Sequence, residues 1–444
     1  MNKTIIIAGA GYGGLAAAAL LAKAGHRVAV YEQRAENEGI SPWSDYFPLS
    51  ALKIAGIRPP NDSKYRIQES VMMFSPNQET ALRQTIPREN VESLVDCNEL
   101  YALLLQNAVQ NGAELFFGQK ILAPMLLGSR VAGIRCEQGE HYADLVIDAA
   151  GIDSPVRSGL PAMCCVETAL REDEQIYLYR AVLTRNADAE ISVQANTHVY
   201  MMPGGAPGIS RLMFLDDRVE VQVGRYSPFE EADALRTLAL LRGSCPELGS
   251  EFLAEGHFHR VPARHPLSVM LCDGYAALGD SAFMSTPVTG VGLANGLKAA
   301  RILANTILAD KAGAFSAETL WDYQTVYYKK LGAGLASLAC IQQLLARLTP
   351  EELDGLFEQG ILTTEDFIVG AGSTNISTML RFSPAALRQR MENISHDRNL
   401  ARRLLPVVLQ AGRIAAVTSL LPKRWNKQSV INWAKRYQGS VHSQ

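Results

Sequence analysis

The chain has 444 residues, 48% hydrophobic and 20% charged, so it carries enough apolar material for the cores of two or three domains. A net charge of −3 argues against a general nucleic-acid binder. Seven scattered cysteines without a CxxC pair indicate neither a disulfide framework nor a zinc site.

The first predicted elements form a strand, turn, helix and strand in close succession. A buried strand over residues 4–8 is followed by the glycine-rich turn 9–14, a small-residue helix over 15–24 and a second strand over 27–31. Glu32 closes this second strand. The order strand, GxGxxG, helix, strand, acid is the dinucleotide-binding fingerprint in its full context.

Each residue of the fingerprint has a physical role. We expect Gly9 to permit the tight turn, Gly11 to let a diphosphate approach the backbone, and Gly14 to let the helix pack on the sheet. The free N–H groups at the helix N-terminus favour the phosphates, and Glu32 would take the adenosine ribose hydroxyls. The alternative is a glycine-rich turn without a ligand. The predicted cofactor-binding residues of this segment are Gly9, Gly11, Gly13, Gly14, Glu32, Gln33 and Arg34.

The next hundred residues alternate between helix and strand. The pattern predicts helices over 48–57 and 98–111 and strands over 66–74, 113–117, 131–137 and 141–147, the last two forming a hairpin at Gln138 and Gly139.

A buried strand then leads into Asp148-Ala149-Ala150-Gly151 and a turn that ends at Arg157. From there to about residue 270 the sequence is dominated by alternating strands, which predicts a separate mixed sheet facing a substrate. The strands are expected over 175–184, 198–202, 211–215 and 219–225, with one helix over 230–242.

The third glycine-bearing block follows a strand over 275–278. It reads Gly279-Asp280-Ser281-Ala282, then 286–292 (TPVTGVG), and a helix over 293–308. Every later segment is predicted to be helical, over 317–347, 350–358, 363–369, 384–394, 398–420 and 427–437.

The blocks GAGYGG, DAAGIDSPVR and GDSAFMSTPVTGVG, in this order and spacing, resemble those of the FAD-dependent p-hydroxybenzoate hydroxylase-like superfamily. That superfamily includes aromatic hydroxylases, epoxidases, halogenases and geranylgeranyl reductases. The resemblance covers residues 1–310 and implies an α/β fold. The implied fold consists of a Rossmann-like FAD-binding domain with a parallel sheet and helices, a mixed β-sheet substrate domain and a C-terminal helical region.

The implied FAD-binding domain is discontinuous, over residues 1–60, 96–160 and 271–310. The substrate-binding domain would take 61–95 and 161–270, and the helical region 311–444. The resemblance assigns Asp280 to the FAD ribityl and diphosphate region, where the alternative is a helix N-cap. It places the loop before the last helix of the block at the flavin ring, with backbone N–H groups and the helix dipole facing the N1 and C2 edge. The cofactor-binding residues of this loop are Pro287, Gly290, Val291 and Gly292.

Three positions depart from the hydroxylase pattern. Asp148 stands one place earlier than the usual acid, in the form that geranylgeranyl reductases and some halogenases show. Cys97 replaces the arginine that generally reaches the cofactor, so that contact is open. Phe283 stands where hydroxylases commonly have a histidine.

The segment HVYMMPGG (residues 198–205) is similar to the YxWxFPxG stretch that lines the lipid cavity of geranylgeranyl reductases, although only Pro203 and Gly205 match strictly. The alternative is an ordinary strand ending at a Pro-Gly turn. The halogenase signature WxWxIP is absent. The predicted substrate-pocket residues are Trp43, Phe47, Tyr200, Met202 and Pro203.

The resemblance therefore predicts an FAD-dependent oxidoreductase that reduces or dehydrogenates C=C bonds of a hydrophobic small molecule. A flavin monooxygenase is the alternative, and a halogenase is less favoured. Tyr46 and His198 are the candidate proton donors. No second GxGxxG is present, so NAD(P)H would bind transiently or a separate reductase would supply electrons. His257 and His259 lack a neighbouring acid, so no metal site is predicted.

Residues 381–444 carry twelve Lys and Arg against Glu392 and Asp397, a local charge of +10. Basic turns flank apolar ones here, and Trp425 and Trp433 lie among them. One interpretation is peripheral contact with an anionic membrane, and the other is a helical cap with a solvated basic face. Because a strand is expected from Thr4, no signal peptide is predicted, and we expect a cytoplasmic protein, with the inner membrane surface as its contact.

Overall fold

The computed structural model describes residues 2–40, 43–60, 65–68, 70–85, 92–186, 195–363 and 398–441. The strands are β1 Thr4–Ala8, β2 Arg27–Tyr31, β3 Ser44–Phe47, β4 Tyr65–Ile67, β5 Ser70–Phe74, β6 Ala81–Thr85, β7 Ser93–Asp96, β8 Glu114–Phe116, β9 Ile121–Leu127, β10 Arg130–Cys136, β11 Gly139–Tyr142, β12 Leu145–Asp148, β13 Gln175–Arg185, β14 Thr197–Met201, β15 Ile209–Phe214, β16 Arg218–Arg225, β17 Leu248–Pro262, β18 Leu271–Cys272 and β19 Tyr275–Ala277. The helices are α1 Tyr12–Lys23, α2 Ser50–Ala55, α3 Cys97–Gln110, α4 Pro155–Ser158, α5 Glu231–Ser244, α6 Leu293–Ala309, α7 Ala317–Tyr327, α8 Ala333–Leu345, α9 Pro350–Glu358, α10 Arg398–Ser419 and α11 Lys427–Val441.

A six-stranded sheet in the order β18-β19-β12-β1-β2-β8 forms the first layer. Its strands run parallel except for the β18–β19 pair. The central strand β1 is buried on both faces through Ile5, Ile6 and Ile7, as expected when helices cover a parallel sheet. This confirms the predicted Rossmann-like layer.

Helix α1 packs closely because its buried face is built from small residues. The alanines Ala16, Ala17 and Ala18 are fully buried. Gly13 faces the backbone of Gly296 in α6, where an added Cβ would approach the Gly296 carbonyl oxygen to 3.4 Å. The α1–α6 contact therefore brings the helices of the first and third glycine-bearing blocks together.

A seven-stranded mixed sheet in the order β17-β13-β16-β15-β14-β5-β6 forms the second layer, which confirms the predicted mixed sheet. Most neighbours are antiparallel, but β14 and β5 pair in parallel. The fifteen-residue strand β17 extends it at one edge. Two three-stranded sheets, β11-β10-β9 and β3-β7-β4, complete the strand topology of the described residues.

Two predicted strands were wrong as single elements. The predicted strand over 66–74 is divided into β4 and β5, which belong to different sheets. The predicted strand over 141–147 is divided into β11 and β12, because the chain leaves the hairpin and enters the parallel sheet beside β1. Neither junction contains the glycine or proline that usually marks a turn, so the pattern does not reveal a change of pairing partner. The hairpin around Gln138 and Gly139 is confirmed.

The C-terminal part of the described chain is helical, as predicted. One π-helical turn over Tyr328–Gly332 interrupts the helix predicted over 317–347. Trp433 is buried and donates its indole N–H to the Val417 carbonyl oxygen at 2.8 Å. Trp425 packs on Trp321 with ring centroids 5.1 Å apart. The helices predicted over 363–369 and 384–394 lie outside the described residues.

Among the described helices, none by itself is long and apolar enough to cross a membrane. The pair Ala317–Leu345 and Pro350–Glu358, bent by 117°, meets the requirements of length and composition only when both parts are taken together.

Candidate active site

The turn between β1 and α1 adopts a backbone that only glycine tolerates. Gly9 has a φ of +96°, and a Cβ there would collide with the backbone of Ala149. A Cβ at Gly14 would lie 2.5 Å from the Gly9 carbonyl oxygen. At Gly11, by contrast, an added Cβ would meet only the Ala149 oxygen at 3.9 Å and would otherwise occupy open space. The turn thus leaves a cradle above Gly11, at the N-terminus of the twelve-residue α1.

Glu32 is buried at the end of β2 and ties this turn to the second strand. Its carboxylate accepts hydrogen bonds from the Ala10 N–H at 2.8 Å and from the Arg34 backbone N–H at 3.0 Å and Nε at 3.1 Å. Burial alone would raise the pKa of Glu32, but the Arg34 and Ala10 hydrogen bonds lower it, so the group is ionised. Arg34 lies over the Tyr101 ring, and Gln33 is exposed.

Asp148 acts within the protein rather than at the cavity surface. It is fully buried, and its carboxylate accepts hydrogen bonds from Ser154 Oγ at 2.6 Å and Tyr275 Oη at 2.9 Å. These bonds fix the turn that carries Ala149 and Gly151. The unusual position of this acid therefore has a structural explanation.

The second and third blocks are joined directly. The Gly151 N–H donates to Ser281 Oγ at 2.9 Å, and Arg157 Nη1 donates to the Ser281 carbonyl oxygen at 2.9 Å. Phe283, at the position of the hydroxylase histidine, lies between the guanidinium groups of Arg157 and Arg264, at 4.5 Å and 4.6 Å. An aromatic ring here separates two buried cations.

The third block presents an acid and a helix N-terminus. Ser285 Oγ donates to Asp280 at 2.6 Å, and burial raises the pKa of Asp280. Gly290 has a φ of +74°, and Gly292 is the N-cap of the seventeen-residue α6 without a side-chain cap. The first N–H groups of α6 are therefore free of side-chain caps at this loop. Pro287, in the same loop, is buried.

The three blocks converge on one cavity of about 890 Å³. The first block lines it with residues 11–14, the second with Ala149 and Gly151, and the third with Gly279, Asp280 and residues 290–292. Gly9, Glu32, Gln33, Arg34 and Pro287 do not line it and support the loops or lie outside. Because the open cradle, both helix N-termini and the acid share one space, the residues fit an extended dinucleotide such as FAD.

The cavity continues over the seven-stranded sheet. The residues that line this part are Trp43, Asp45, Tyr46, Leu178, Arg180, Arg211, Gln222, His257, Phe258, His259, Arg260 and Val261. Sequence reasoning named Trp43 as a pocket residue and Tyr46 as a proton donor, and both side chains are here. Thr197 Oγ1 donates to Tyr46 Oη at 3.1 Å, and burial raises the pKa of Tyr46, so the phenol keeps its proton.

Asp45, Arg180, Arg211 and Gln222 form a charged cluster, which we call the arginine cluster. Asp45 accepts from Arg180 at 2.7 and 3.2 Å and from Arg211 at 2.9 Å. Arg180 also donates to Gln222 Oε1 at 2.9 Å and lies over Trp43. Burial alone would raise the pKa of Asp45, but the two guanidinium groups lower it to about 2.

Sequence reasoning did not identify the roles of Arg180, Arg211 and Gln222. The signal was present, since Arg180 interrupts the apolar strand IYLYRAVL and Gln222 interrupts VEVQVGR. A charged residue inside a buried strand requires a partner.

The remaining predicted pocket residues lie away from the cavity lining. His198 is buried among Phe74, Phe214 and Tyr200, and its burial lowers its pKa to about 4. Tyr200 stacks on Phe74 with ring centroids 4.7 Å apart. The structure therefore gives His198 no access to this cavity, because β14 directs it into an aromatic core.

Phe47, Met202 and Pro203 are also buried in packing clusters or turns rather than in the lining. Met202 adopts a φ of +45° before the turn at Pro203. Residues 198–205 thus form the end of strand β14 followed by a turn at Pro203–Gly205.

Cys97 is the first residue of α3, and it is buried in the cavity wall. Its Sγ lies 3.9 Å from Asp45, and burial together with this carboxylate raises the pKa of the thiol to about 12. A neutral thiol therefore stands where the resemblance places an arginine. His265 is buried beside Arg264, and the described His, Cys, Asp and Glu side chains include no group of three or more that could hold a metal ion.

Comparisons with known proteins agree with this geometry. A family described as "NAD(P)-binding Rossmann-like domain" matches residues 7–39. The chain is 24% identical to a digeranylgeranylglycerophospholipid reductase of Sulfolobus acidocaldarius, over 83% of each chain. It is 25% identical to the same-named enzyme of Haloferax volcanii, over 80% of this chain and 89% of the relative.

Solved structures share the fold. A geranylgeranyl bacteriochlorophyll reductase-like protein of Thermoplasma acidophilum aligns with a TM-score of 0.72 and 17% identity, over 90% of this chain and all of that one. PqsL of Pseudomonas aeruginosa, described as a probable FAD-dependent monooxygenase, aligns with a TM-score of 0.60 and 19% identity, over 81% and 100%. The sequence relatives and the shared fold agree with the resemblance that the three blocks indicate: the chain is similar to geranylgeranyl reductases, and it is an FAD-dependent oxidoreductase.

Proposed function

We propose that this protein uses FAD to reduce C=C bonds of a hydrophobic small molecule. The observation that carries the proposal is the single cavity in which three cofactor-type loops meet the wall of the seven-stranded sheet. The curated relatives, named as digeranylgeranylglycerophospholipid reductases, favour reduction over oxygenation.

The chain's own residues would bind and orient the cofactor. The α1 N-terminus above Gly11 would hold the diphosphate, and Asp280 would bind the ribityl region. The fingerprint assigns the ribose hydroxyls to Glu32, which lies outside the lined cavity and holds the first turn through the Ala10 N–H. The α6 N-terminus at Gly292 would stabilise negative charge on the reduced ring. When bound and reduced, FAD supplies a hydride equivalent to the substrate.

Tyr46 is the candidate proton donor among the predicted residues. Thr197 donates to the Tyr46 oxygen, so that hydrogen bond does not use the phenol proton. Leu178 and Val261 are apolar residues that line the same cavity. These residues would place a hydrophobic substrate, limit water and supply the second hydrogen.

We further propose that NAD(P)H binds transiently, or that a separate reductase supplies the electrons, since the chain carries one glycine fingerprint. We also propose a cytoplasmic location, with contact to the inner membrane surface through α10. Its exposed apolar residues are Leu405, Val408 and Leu409, and exposed basic residues Arg402, Arg403 and Arg413 stand on the same helix. Trp425 and Trp433 pack inward, so they do not support this contact.

The test is turnover under anaerobic conditions. Holoenzyme reduced with dithionite and freed of excess reductant is mixed with geranic acid, geraniol or geranylgeraniol. The proposal expects the flavin to be reoxidised and the product to gain two mass units per bond. A product that forms only after air is admitted, with an added oxygen atom, contradicts the proposal and supports the monooxygenase.

A further inference from the structure

The polar wall of the cavity is one row across the seven-stranded sheet. His257 of β17 is opposite Arg180 of β13, Arg180 is opposite Gln222 of β16, and Gln222 is opposite Arg211 of β15. Residues directly opposite in neighbouring strands share a face, so four polar side chains line up toward the cavity. Leu178, two residues before Arg180 on the same face, lines the cavity beside this row.

The arginine cluster has more positive than negative charge. Two guanidinium groups, 7% and 14% exposed, share the single carboxylate of Asp45. Gln222 contributes only a neutral amide oxygen. Arg211 Nε is buried without a hydrogen-bond partner among the described residues. One cation is thus left in excess, and an anion would satisfy it.

Within the described part of the chain, the two other carboxylates near the cluster do not supply the missing charge. Glu220 pairs with Arg218 at 3.2 Å and accepts from the Ser44 N–H at 2.6 Å. Glu92 is buried beside Lys298 and Arg211, and its burial raises its pKa to about 8, so it is mostly neutral at pH 7.

We propose that the arginine cluster binds an anionic oxygen group of the substrate that is conjugated to the reducible C=C bond. The ligand class is an α,β-unsaturated carboxylate with an apolar tail, the carboxylate on Arg211 and the tail along Leu178 and Val261. This inference rests on the proposed function and specifies its substrate. It differs from reduction of isolated bonds, for which a charged wall has no use.

The chemistry of such a substrate balances. A hydride equivalent reaches the β-carbon, and the π electrons of the C=C bond move to give an enolate on the carboxyl group. Arg211 stabilises this negative charge by a hydrogen bond. A proton, with Tyr46 as donor, then reaches the α-carbon and restores the carboxylate. The net change is two electrons and two hydrogens, supplied through reduced FAD and its electron donor.

Geranic acid provides the decisive probe, because it carries one conjugated and one isolated C=C bond. Binding to oxidised holoenzyme is followed by the flavin difference spectrum, with methyl geranate as the uncharged comparison. The acid should bind about ten-fold or more tightly, as a hydrogen bond to a charged group provides. Arg211→Gln should abolish this preference, and Arg211→Lys should restore part of it. Arg236→Gln, which removes an exposed charge from α5, should leave it unchanged.

Equal binding of acid and ester to the wild-type protein overturns the inference, even where an Arg211 variant fails to fold. An Arg211→Gln protein that loses flavin affinity but keeps the acid preference also overturns it, because the cluster would then serve the cofactor. In turnover of geranic acid, the conjugated bond should be reduced faster than the isolated one. Acid-selective binding without any reduction would support the anion site and contradict the proposed function, so the two failures are distinct.

Discussion

Arg157 donates a hydrogen bond to the carbonyl oxygen of Ser281 at 2.9 Å, across 124 residues of sequence. This contact joins the second and third glycine-bearing blocks at the cavity. Arg157 is buried, and burial lowers its pKa. The carbonyl oxygens of Ser281 and Ile152 and the Phe283 ring favour its charged form.

Arg157→Met should therefore destabilise the protein. Two carbonyl oxygens, of Ser281 and Ile152, would lose their donor, at a cost of about 1–3 kcal/mol each. Urea denaturation measures the change in unfolding free energy. Because the two loops would separate, FAD content after purification should also fall. Arg135→Met on the exposed side of β10 is the control, and equal stability of the two variants would contradict the argument.

Gly11→Ala should reduce FAD binding while the fold is kept. The new methyl group would occupy open cavity space rather than meet backbone, so the loss is expected in affinity, by roughly ten-fold or more for about 1–3 kcal/mol of overpacking against the cofactor. Fluorescence titration of apoprotein with FAD measures it.

Two glycines serve as controls for that experiment. Gly439→Ala, in open space on α11, should leave FAD affinity unchanged and, as a glycine-to-alanine change within a helix, should not lower stability. Gly14→Ala should destabilise the apoprotein itself, since its methyl group would collide with the Gly9 carbonyl oxygen. An unaffected FAD affinity in Gly11→Ala would show that the cradle is not the diphosphate site.

Asp45→Asn should cost about 3 kcal/mol at pH 7, since it leaves two buried guanidinium groups with only amide partners. The pKa of Asp45 is about 2 in the folded protein and 3.8 ordinarily. A carboxyl group whose pKa is lower in the folded state stabilises the folded protein when the pH is above the pKa of the unfolded state. The contribution of Asp45 to the unfolding free energy is therefore complete above about pH 4 and is lost as the pH falls toward 2.

The stability difference between wild type and Asp45→Asn should accordingly shrink below pH 4. Urea midpoints at pH 7, 5, 4 and 3 measure it. A difference that stays constant down to pH 3 would mean that the carboxylate is not held by the arginines.

Tyr46→Phe should lower the rate of C=C reduction by about 10²-fold or more, because the candidate proton donor is removed. FAD affinity and the rate of flavin reduction by dithionite should be unchanged. Thr197→Val is the matched control, since it removes the hydroxyl that bonds Tyr46 but keeps the phenol proton. Equal turnover of Tyr46→Phe and wild type would assign proton transfer to another group.

Contact with an anionic membrane would depend on the exposed apolar face of α10. Replacing Leu405, Val408 and Leu409 by Ser should abolish flotation with vesicles of anionic phospholipid, whereas neutral vesicles should not bind the wild type. Point variants are preferable to truncation at residue 380, because α11 contributes the buried Tyr437 and Trp433 to the core. Flotation of the triple variant at the wild-type level would contradict the proposal.

The sequence indicated the part of the cavity lining that comes from the three glycine-bearing blocks, but not the part that comes from the seven-stranded sheet. Gly9 and Gly14 are dictated by backbone geometry, so a local pattern identifies them. Arg180, Gln222 and Arg211 come together only through strand pairing in the seven-stranded sheet. A linear sequence does not specify which strands are neighbours, and the anomaly of a charge within an apolar strand signals only that some partner exists.

His198 shows the opposite failure. Its segment matched a lipid-cavity motif in part. Successive residues of a strand point to opposite faces of the sheet, so a motif match that is only partial does not determine which face of β14 carries His198. The side chain therefore entered the cluster of Phe74 and Phe214. Domain boundaries and the roles of the cofactor-binding residues stay predictions.

Strand β19 completes the parallel sheet beside β12, although it is the last of the described strands along the chain. The N-terminal βαβ unit therefore leaves the ribosome long before the strand and loop that finish its ligand cleft. Truncation between β12 and β19 would yield a polypeptide with an unpaired edge at β12 and without the third glycine-bearing loop of the cavity. Acquisition of colour during translation should thus be a late event that reports completion of this sheet.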